Sequence, residues 1–232
     1  MYKDKKFLAV IPARGGSKRL PKKNILDFAG KPLIAWTIDS ANKSKYIDEI
    51  ILSTDCDEVS SIALNYDVNI PFKRPKNLSN DTATSSDVLI HAVEEMKKSK
   101  KEFDYVLLLQ PTSPLRDCFD IDNAIEFLFQ KDANLVLGVS KLKHPIQWTN
   151  KIPKNLSMEN FISELGDIKR SQDYEPNYII NGALYIIKVS MLLKTKQLMI
   201  KEKSFAFKMD YKKSIDIDDL DDFQMAKFYL SQ

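Results

Sequence analysis

FLAVIPARGGSKRLPKKN, from Phe7 to Asn24, changes character in the middle. Phe7 to Pro12 is short, apolar and closed by a proline, which reads as a buried strand. The residues that follow cannot continue it. Gly15 and Gly16 let the backbone approach a ligand and aim N–H groups at it. Arg14, Lys18, Arg19, Lys22 and Lys23 crowd cations around those glycines. In an open parallel sheet, ligands bind at the carboxyl ends of strands, which is where this loop starts. Such a loop suits a triphosphate, since arginine grips phosphate oxygens in a fork and lysine acts as a mobile point charge. A solvated basic turn is the plainer alternative. The pattern is neither GxGxxG nor GxxxxGK[ST], so dehydrogenase and ordinary P-loop chemistry are disfavoured.

Outward from this loop, apolar runs alternate with helical spacing. Ile34, Thr37, Ile38 and Ala41 mark a helix, and Glu49 to Thr54 a second short strand. Val59, Ile62, Ala63 and Tyr66 mark another helix, and Leu89, Ala92, Val93 and Met96 a third. Tyr105 to Leu109 and Leu135 to Ser140 are strands flanking the stripe Ile121, Ala124, Ile125 and Leu128. Buried strands without alternation, separated by amphipathic helices, imply a mostly parallel sheet covered on both faces. Right-handed crossovers then give a three-layer αβα sandwich with a Rossmann-like sheet. Residues 141–180 break the pattern with Pro145, Pro153, Pro176 and little periodicity, and read as an insertion, a hairpin arm or lid. Ala183 to Lys188 and Phe205 to Asp210 regain strand character, and Leu220, Phe223, Ala226 and Leu230 close the chain with a helix. The expectation is a single domain over residues 1–232.

A composition of 44% hydrophobic and 29% charged residues over 232 positions fits a globular domain with a real core. The net charge of +3 is too weak for a nucleic-acid module, which needs a stronger basic face with stacking aromatics. Cys56 and Cys118 lack CxxC spacing and read as free thiols. His91 and His144 are too scattered for a histidine metal site, and His91 reads as structural. The basic N-terminus and FLAVIPA are too short for a signal peptide. No segment approaches the ~20 apolar residues of a membrane span, so a cytoplasmic protein without a membrane partner is expected.

Four further motifs carry candidate chemistry. LLLQPTSPLR, Leu107 to Arg116, ends a strand in a stiff turn. The Gln110 amide there could read a base or a sugar hydroxyl, or the segment is an ordinary strand-to-helix turn. RPKNLSNDTATSSDVL, Arg74 to Leu89, offers Arg74 as a phosphate or base contact and a hydroxyl cluster that supplies N-caps. In IINGALYI, Ile179 to Ile186, Tyr185 sits in an apolar run and reads as core. In SIDIDDLDDF, Ser214 to Phe223, Asp216 and Asp218 lie two apart in an extended stretch and share a face. Paired carboxylates beside a triphosphate suit Mg²⁺, although acidic clusters are commonly solvated surface. Asp221 and Asp222 fit the first turn of the last helix.

IPARGGSKRLPKKN, with QPTSP, RPKNL, NGA and the DxD of Asp216 and Asp218, resembles the acylneuraminate cytidylyltransferases, the CMP-sialic acid synthetase family. The resemblance runs along nearly the whole chain. It implies a nucleotide-diphospho-sugar transferase type of α/β fold. It also implies transfer of CMP from CTP to a nonulosonic sugar acid with Mg²⁺, and a homodimer built through residues 141–180. By the same resemblance Ala13, Arg14, Gly15, Gly16, Ser17, Lys23, Asn24, Arg74, Asn80, Asp81, Ser85 and Gln110 line the nucleotide. Gln110, Thr112, Ser113, Arg170, Asn181 and Tyr185 line the sugar acid. Asp216 and Asp218 hold metal, and with Arg14 and Lys23 they carry the catalytic charge. Arg116 supports its loop. Two stretches depart from the family. His144-Pro145-Ile146-Gln147 stands where some sialic acid enzymes resemble HPLK, and KRSQD at Lys169 to Asp173 matches the RQD-like element with an uncertain offset. The other readings are a nucleotidyltransferase for another sugar or sugar phosphate, and a non-catalytic sugar-nucleotide-binding domain.

Overall fold

The computed structural model describes residues 1–166 and 169–232. In chain order it contains β1 (Phe7–Pro12), the short β2 (Asp27–Phe28) and β3 (Lys31–Pro32), α1 (Leu33–Asn42), β4 (Glu49–Ser53), α2 (Asp57–Ala63) and α3 (Ser85–Lys98). Then follow β5 (Tyr105–Leu108), α4 (Cys118–Gln130), β6 (Leu135–Lys141), α5 (Glu159–Glu164), β7 (Tyr178–Lys188), α6 (Val189–Thr195), β8 (Ser204–Lys208) and α7 (Leu220–Leu230). Among the described residues no helix is long and apolar enough to cross a membrane.

The sheet order is β4-β1-β5-β7-β6-β8. Strand β1 pairs in parallel with β4, Val10 opposite Ile51, and with β5, Val10 opposite Leu108. Strand β7 is antiparallel to both β5 and β6, and β8 returns parallel to β6. The expected mostly parallel αβα sandwich is therefore present, with one reversed strand.

The side-chain period of two divides the core between the faces. Phe7, Ala9 and Ile11 of β1 pack with Ile34 and Ile38 of α1 and Ile121 and Ile125 of α4. Leu8 and Val10 pack the other way, against Leu89, Ala92 and Met96 of α3 and Leu192 of α6. Burial of each large apolar side chain is worth about 1.5–3 kcal/mol, so β1 is a firm base for the loop it launches. Helix α7 caps a third cluster that joins Phe28, Leu33, Ile215, Ile217 and Phe223.

Some boundaries differ from the sequence reading. Helix α2 stops at Ala63 and gives way to a 3₁₀ turn over Leu64–Tyr66, closed by Asp67 in the left-handed region. Strand β7 starts at Tyr178, five residues before the strand character expected at Ala183, because Tyr178, Ile179 and Ile180 pair with Lys141, Ser140 and Val139. Those three are exposed, so burial gives them no sequence signature. Arg116, 1% exposed, donates to the Ala183 carbonyl at 2.7 Å and the Ser40 hydroxyl at 3.4 Å, fastening the β5–α4 turn to β7 and α1. Burial lowers its pKa to about 10, so it remains cationic at neutral pH.

Candidate active site

A cavity of about 540 Å³ opens at the carboxyl ends of β1 and β5, within the range of small-molecule sites. The loop after β1 forms one wall. Its entry is fixed by Ala13 N–H on the Ser53 carbonyl at 2.9 Å and Gly15 N–H on Asp55 Oδ1 at 3.1 Å. Gly15 lies so close to α2 that a Cβ there would sit 2.9 Å from Cys56 Cβ, which excludes any larger residue without a shift. Asn24 Nδ2 donates to the Arg14 carbonyl at 3.2 Å and closes the loop on itself.

The loop's cations face carboxylates from distant segments. Arg14 Nη1 meets Asp81 Oδ1 at 2.9 Å and the Asn80 carbonyl at 3.2 Å, and Lys18 Nζ meets Asp81 Oδ2 at 2.6 Å. The lysine and arginine hydrogen bonds hold the Asp81 carboxyl below its usual pKa. Arg19 Nη2 lies 2.8 Å from Asp218 Oδ2. Lys23, with its side chain 12% exposed, donates to the Ile217 carbonyl and lies 3.5 Å from Asp218 Oδ1.

The second wall is the segment before α3. Arg74 is 5% exposed, and its Nε and Nη2 have no hydrogen-bond partner among the described residues. Burial lowers its pKa; Asp55 opposes that shift and Arg14 adds to it. Asn80 Oδ1 accepts from Thr82 N–H at 3.0 Å and Ala83 N–H at 2.9 Å, which shapes the turn. Thr84 and Asp87 form a capping box at the start of α3, so Thr84 takes the capping role and Ser85 is left facing the cavity.

The third wall joins Gln110, Pro111 and Thr112 to Asp216 and Asp218. Ile217 N–H donates to the Thr112 carbonyl at 2.8 Å, and Ile215 and Ile217 are buried, so the alternating aspartates turn to the cavity. Burial raises the Asp216 pKa, with Thr112 opposing it and Asp218 adding to it. Asp216 Oδ1 is buried and has no hydrogen-bond partner among the described residues. A buried, unpartnered carboxylate oxygen next to a second carboxylate fits a hard cation such as Mg²⁺. Among the described residues no group of three or more His, Cys, Asp or Glu could hold a metal, so such an ion would draw further oxygens from its substrate.

Of the residues singled out in the sequence, the cavity gathers Arg14, Ser17, Lys23, Asn24, Arg74, Asn80, Asp81, Ser85, Gln110, Thr112, Asp216 and Asp218. Ala13 and Gly15 anchor the loop's entry through their backbone N–H groups, and Gly16 is exposed, with nothing within 4 Å of where a Cβ would stand. Ser113 is fully buried in its turn. Asn181 is engaged internally, donating to Ser214 Oγ at 2.9 Å and accepting from Ala183 N–H at 3.1 Å. Tyr185 packs in the core, where burial raises its phenol pKa and Asp216 adds to the shift. Arg170 is exposed and pairs with Asp173 at 3.3 Å. Asp55, which accepts from Gly15 N–H, belongs to no motif in the sequence; its place just past the carboxyl end of the parallel strand β4 is the signal that points to it.

The sequence pattern of the family described as Cytidylyltransferase matches residues 8–231. The chain belongs to that cytidylyltransferase family. It is 36% identical to the pseudaminic acid cytidylyltransferase of Campylobacter jejuni, across 96% of this chain and 95% of that one. It is 34% identical to the CMP-N,N'-diacetyllegionaminic acid synthase of Legionella pneumophila, across 92% of this chain and 91% of that one. A solved CMP:2-keto-3-deoxy-manno-octonic acid synthetase complexed with CTP superposes with a TM-score of 0.71 at 17% identity, covering 98% of this chain and 99% of that one. At that identity the likeness is one of fold.

Proposed function

We propose that this cytidylyltransferase joins the CMP of CTP to the anomeric hydroxyl of a nonulosonic acid and releases pyrophosphate. The observation that carries this reading is one cavity with Arg14, Lys18, Arg19, Lys23 and Arg74 on two walls and the Asp216–Asp218 pair on the third. The full-length likeness to cytidylyltransferases for pseudaminic and legionaminic acids supports this class of acceptor.

In the proposed reaction the acceptor hydroxyl oxygen attacks the α-phosphorus in line as the bond to the β-phosphate oxygen breaks, and the hydroxyl proton is lost to solvent. Arg14 and Lys23 hold the triphosphate and balance the charge that gathers on the leaving pyrophosphate. Arg74 brings unpartnered donors to the nucleotide, and Gln110 with Thr112 orients the acceptor, with the buried Ser113 supporting their turn. Asn181 and Tyr185 back that pocket. Arg170, which lies outside the cavity's lining and pairs with Asp173, would take the sugar carboxylate if brought to the cavity. Asp216 and Asp218 would hold Mg²⁺, which supplies Lewis-acid charge to phosphate oxygens when bound.

We further take residues 141–180 as a homodimer arm, since Trp148, Ile152, Leu156, Ile162, Ile179 and Ile180 all stand exposed there. Apolar exposure on this scale calls for a covering surface. The enzyme would act in the cytoplasm, where nucleoside triphosphates are available.

The test is pyrophosphate release from CTP, GTP and UTP with Mg²⁺ against a panel of nonulosonic acids. Release with CTP and one acid, abolished by a chelator, is expected. Tight CTP binding with silence across the panel would reject a nonulosonic acceptor.

A further inference from the structure

Asp81 occupies the place where an anionic ligand would be expected. Both of its carboxylate oxygens are spent on the loop after β1: Oδ1 on Arg14 at 2.9 Å and Oδ2 on Lys18 at 2.6 Å. Among the described residues it accepts no other hydrogen bond, and the turn that carries it is shaped by the Asn80 side chain. Asp81 therefore accepts no hydrogen bond from its own loop. Asp218 also pairs with two loop cations, Arg19 and Lys23, but it belongs to the acidic pair and has a separate role.

Cations gathered on one cavity repel one another. Arg14, Lys18 and the buried Arg74 line one cavity, and Arg14 lowers the pKa of Arg74 through like-charge repulsion. A carboxylate placed between Arg14 and Lys18 relieves that repulsion until a ligand arrives. The two pairs are exposed, with side-chain exposures of 36% for Arg14, 75% for Lys18 and 53% for Asp81, so water and salt screen them and they can exchange.

We propose that Asp81 is an internal counter-anion of the phosphate cradle, displaced from Arg14 and Lys18 by the polyphosphate of the incoming nucleotide. This rests on the reading of the cavity as a CTP site. Asp81 thereby sets the affinity of the cradle: each ligand that takes Arg14 and Lys18 must first break two ion pairs, and pyrophosphate leaves more readily because Asp81 returns. The chain keeps an exposed, otherwise idle carboxylate among its cations at the cost of tighter binding.

The experiment is calorimetric titration of CTP and of inorganic tripolyphosphate into the full chain and its Asp81→Asn variant, at low and high salt. The substituted amide keeps an oxygen for Arg14, and the Asn80 turn is untouched, so the variant should melt close to the parent. The expected result is that both ligands bind about 3- to 10-fold tighter to the variant, the range for loss of exposed ion pairs. The gain should shrink at high salt. An Asp81→Glu variant should stay near the parent, because the charge is retained. Weaker or unchanged binding by Asp81→Asn, with parental binding intact, would overturn the proposal and make Asp81 a strut for Arg14. Failure of the parent to bind CTP at all would instead remove the CTP reading, and the counter-anion role with it.

Discussion

Gly182 presents its bare backbone to Gln110 so closely that a Cβ on the glycine would lie 3.0 Å from Gln110 Oε1. The same atom would sit 3.7 Å from Asp216 Oδ2. Gly182 also has φ +73, a left-handed conformation costly for a residue with a side chain. One glycine thus lets a strand, a turn and an acidic residue converge. Gly182→Ala is expected to cost roughly 1–2 kcal/mol of stability from the backbone alone. It should also push Gln110 aside and lower kcat/KM by at least about tenfold, or ~1.4 kcal/mol. Thermal melts and steady-state kinetics read the two effects separately, and parental kinetics would show that Gln110 does not orient substrate.

Asp218→Ala removes a metal-ligand candidate that is also the partner of Arg19 and Lys23. Losing one preorganised charge contact lowers turnover on the order of 10²–10³-fold. The fold should persist, since the exposed Arg19 pair contributes about 0–1 kcal/mol and Lys23 keeps its hydrogen bond to the Ile217 carbonyl. Activity titrated against Mg²⁺ checks this: near-parental, metal-dependent turnover would remove Asp218 from the metal site.

Arg14→Ala should lower turnover on the order of 10²–10³-fold as well, with a weakened affinity for CTP. The distinguishing measurement is tripolyphosphate binding. It should fall in Arg14→Ala and survive in Asp218→Ala, because Arg14 is assigned to the phosphates and Asp218 to the metal.

The capping box of α3 gives a pH prediction. The Thr84 hydroxyl, and then the Thr84 backbone N–H, hold Asp87 below its usual pKa of 3.8. A depressed carboxylate adds stability that is fully present above that usual value and is lost as pH falls through it toward the folded-state value. Asp87→Asn should therefore be less stable than the parent at neutral pH, by about 1 kcal/mol. The two denaturation midpoints should converge in acid, below the ordinary carboxylate range. A gap that stays constant with pH would mean that the charge of Asp87 is irrelevant to the cap.

The exposed apolar residues of 141–180 make the arm testable in solution. Ile152 and Leu156 are 59% and 75% exposed. Ile152→Asp with Leu156→Asp should convert a dimer to monomers in sedimentation while leaving the melting of the sheet domain near parental. A parental chain that sediments as a monomer would remove the arm's proposed role.

The sequence alone determined the strand and loop from Phe7 to Asn24, the alternation of buried strands and amphipathic helices, and the acidic pair at Asp216 and Asp218. Each is a local signal, because burial imposes a period of two or 3.6 on the chain and a glycine-cation loop stands out within a few residues, although its chemistry came from the family resemblance. Only the tertiary structure decided which charges meet. Arg14 and Asp81 are 67 positions apart, and Lys23 and Asp218 are 195 apart. No periodicity encodes such distances. They follow from the order in which strands join the sheet, which brings the ends of β1 and β5 and the stretch before α7 around one cavity. The same order left Asn181 saturated by Ser214 and Ala183 and put Tyr185 in the core. A strand residue faces cavity or core according to its register, and its neighbours across the sheet set that register.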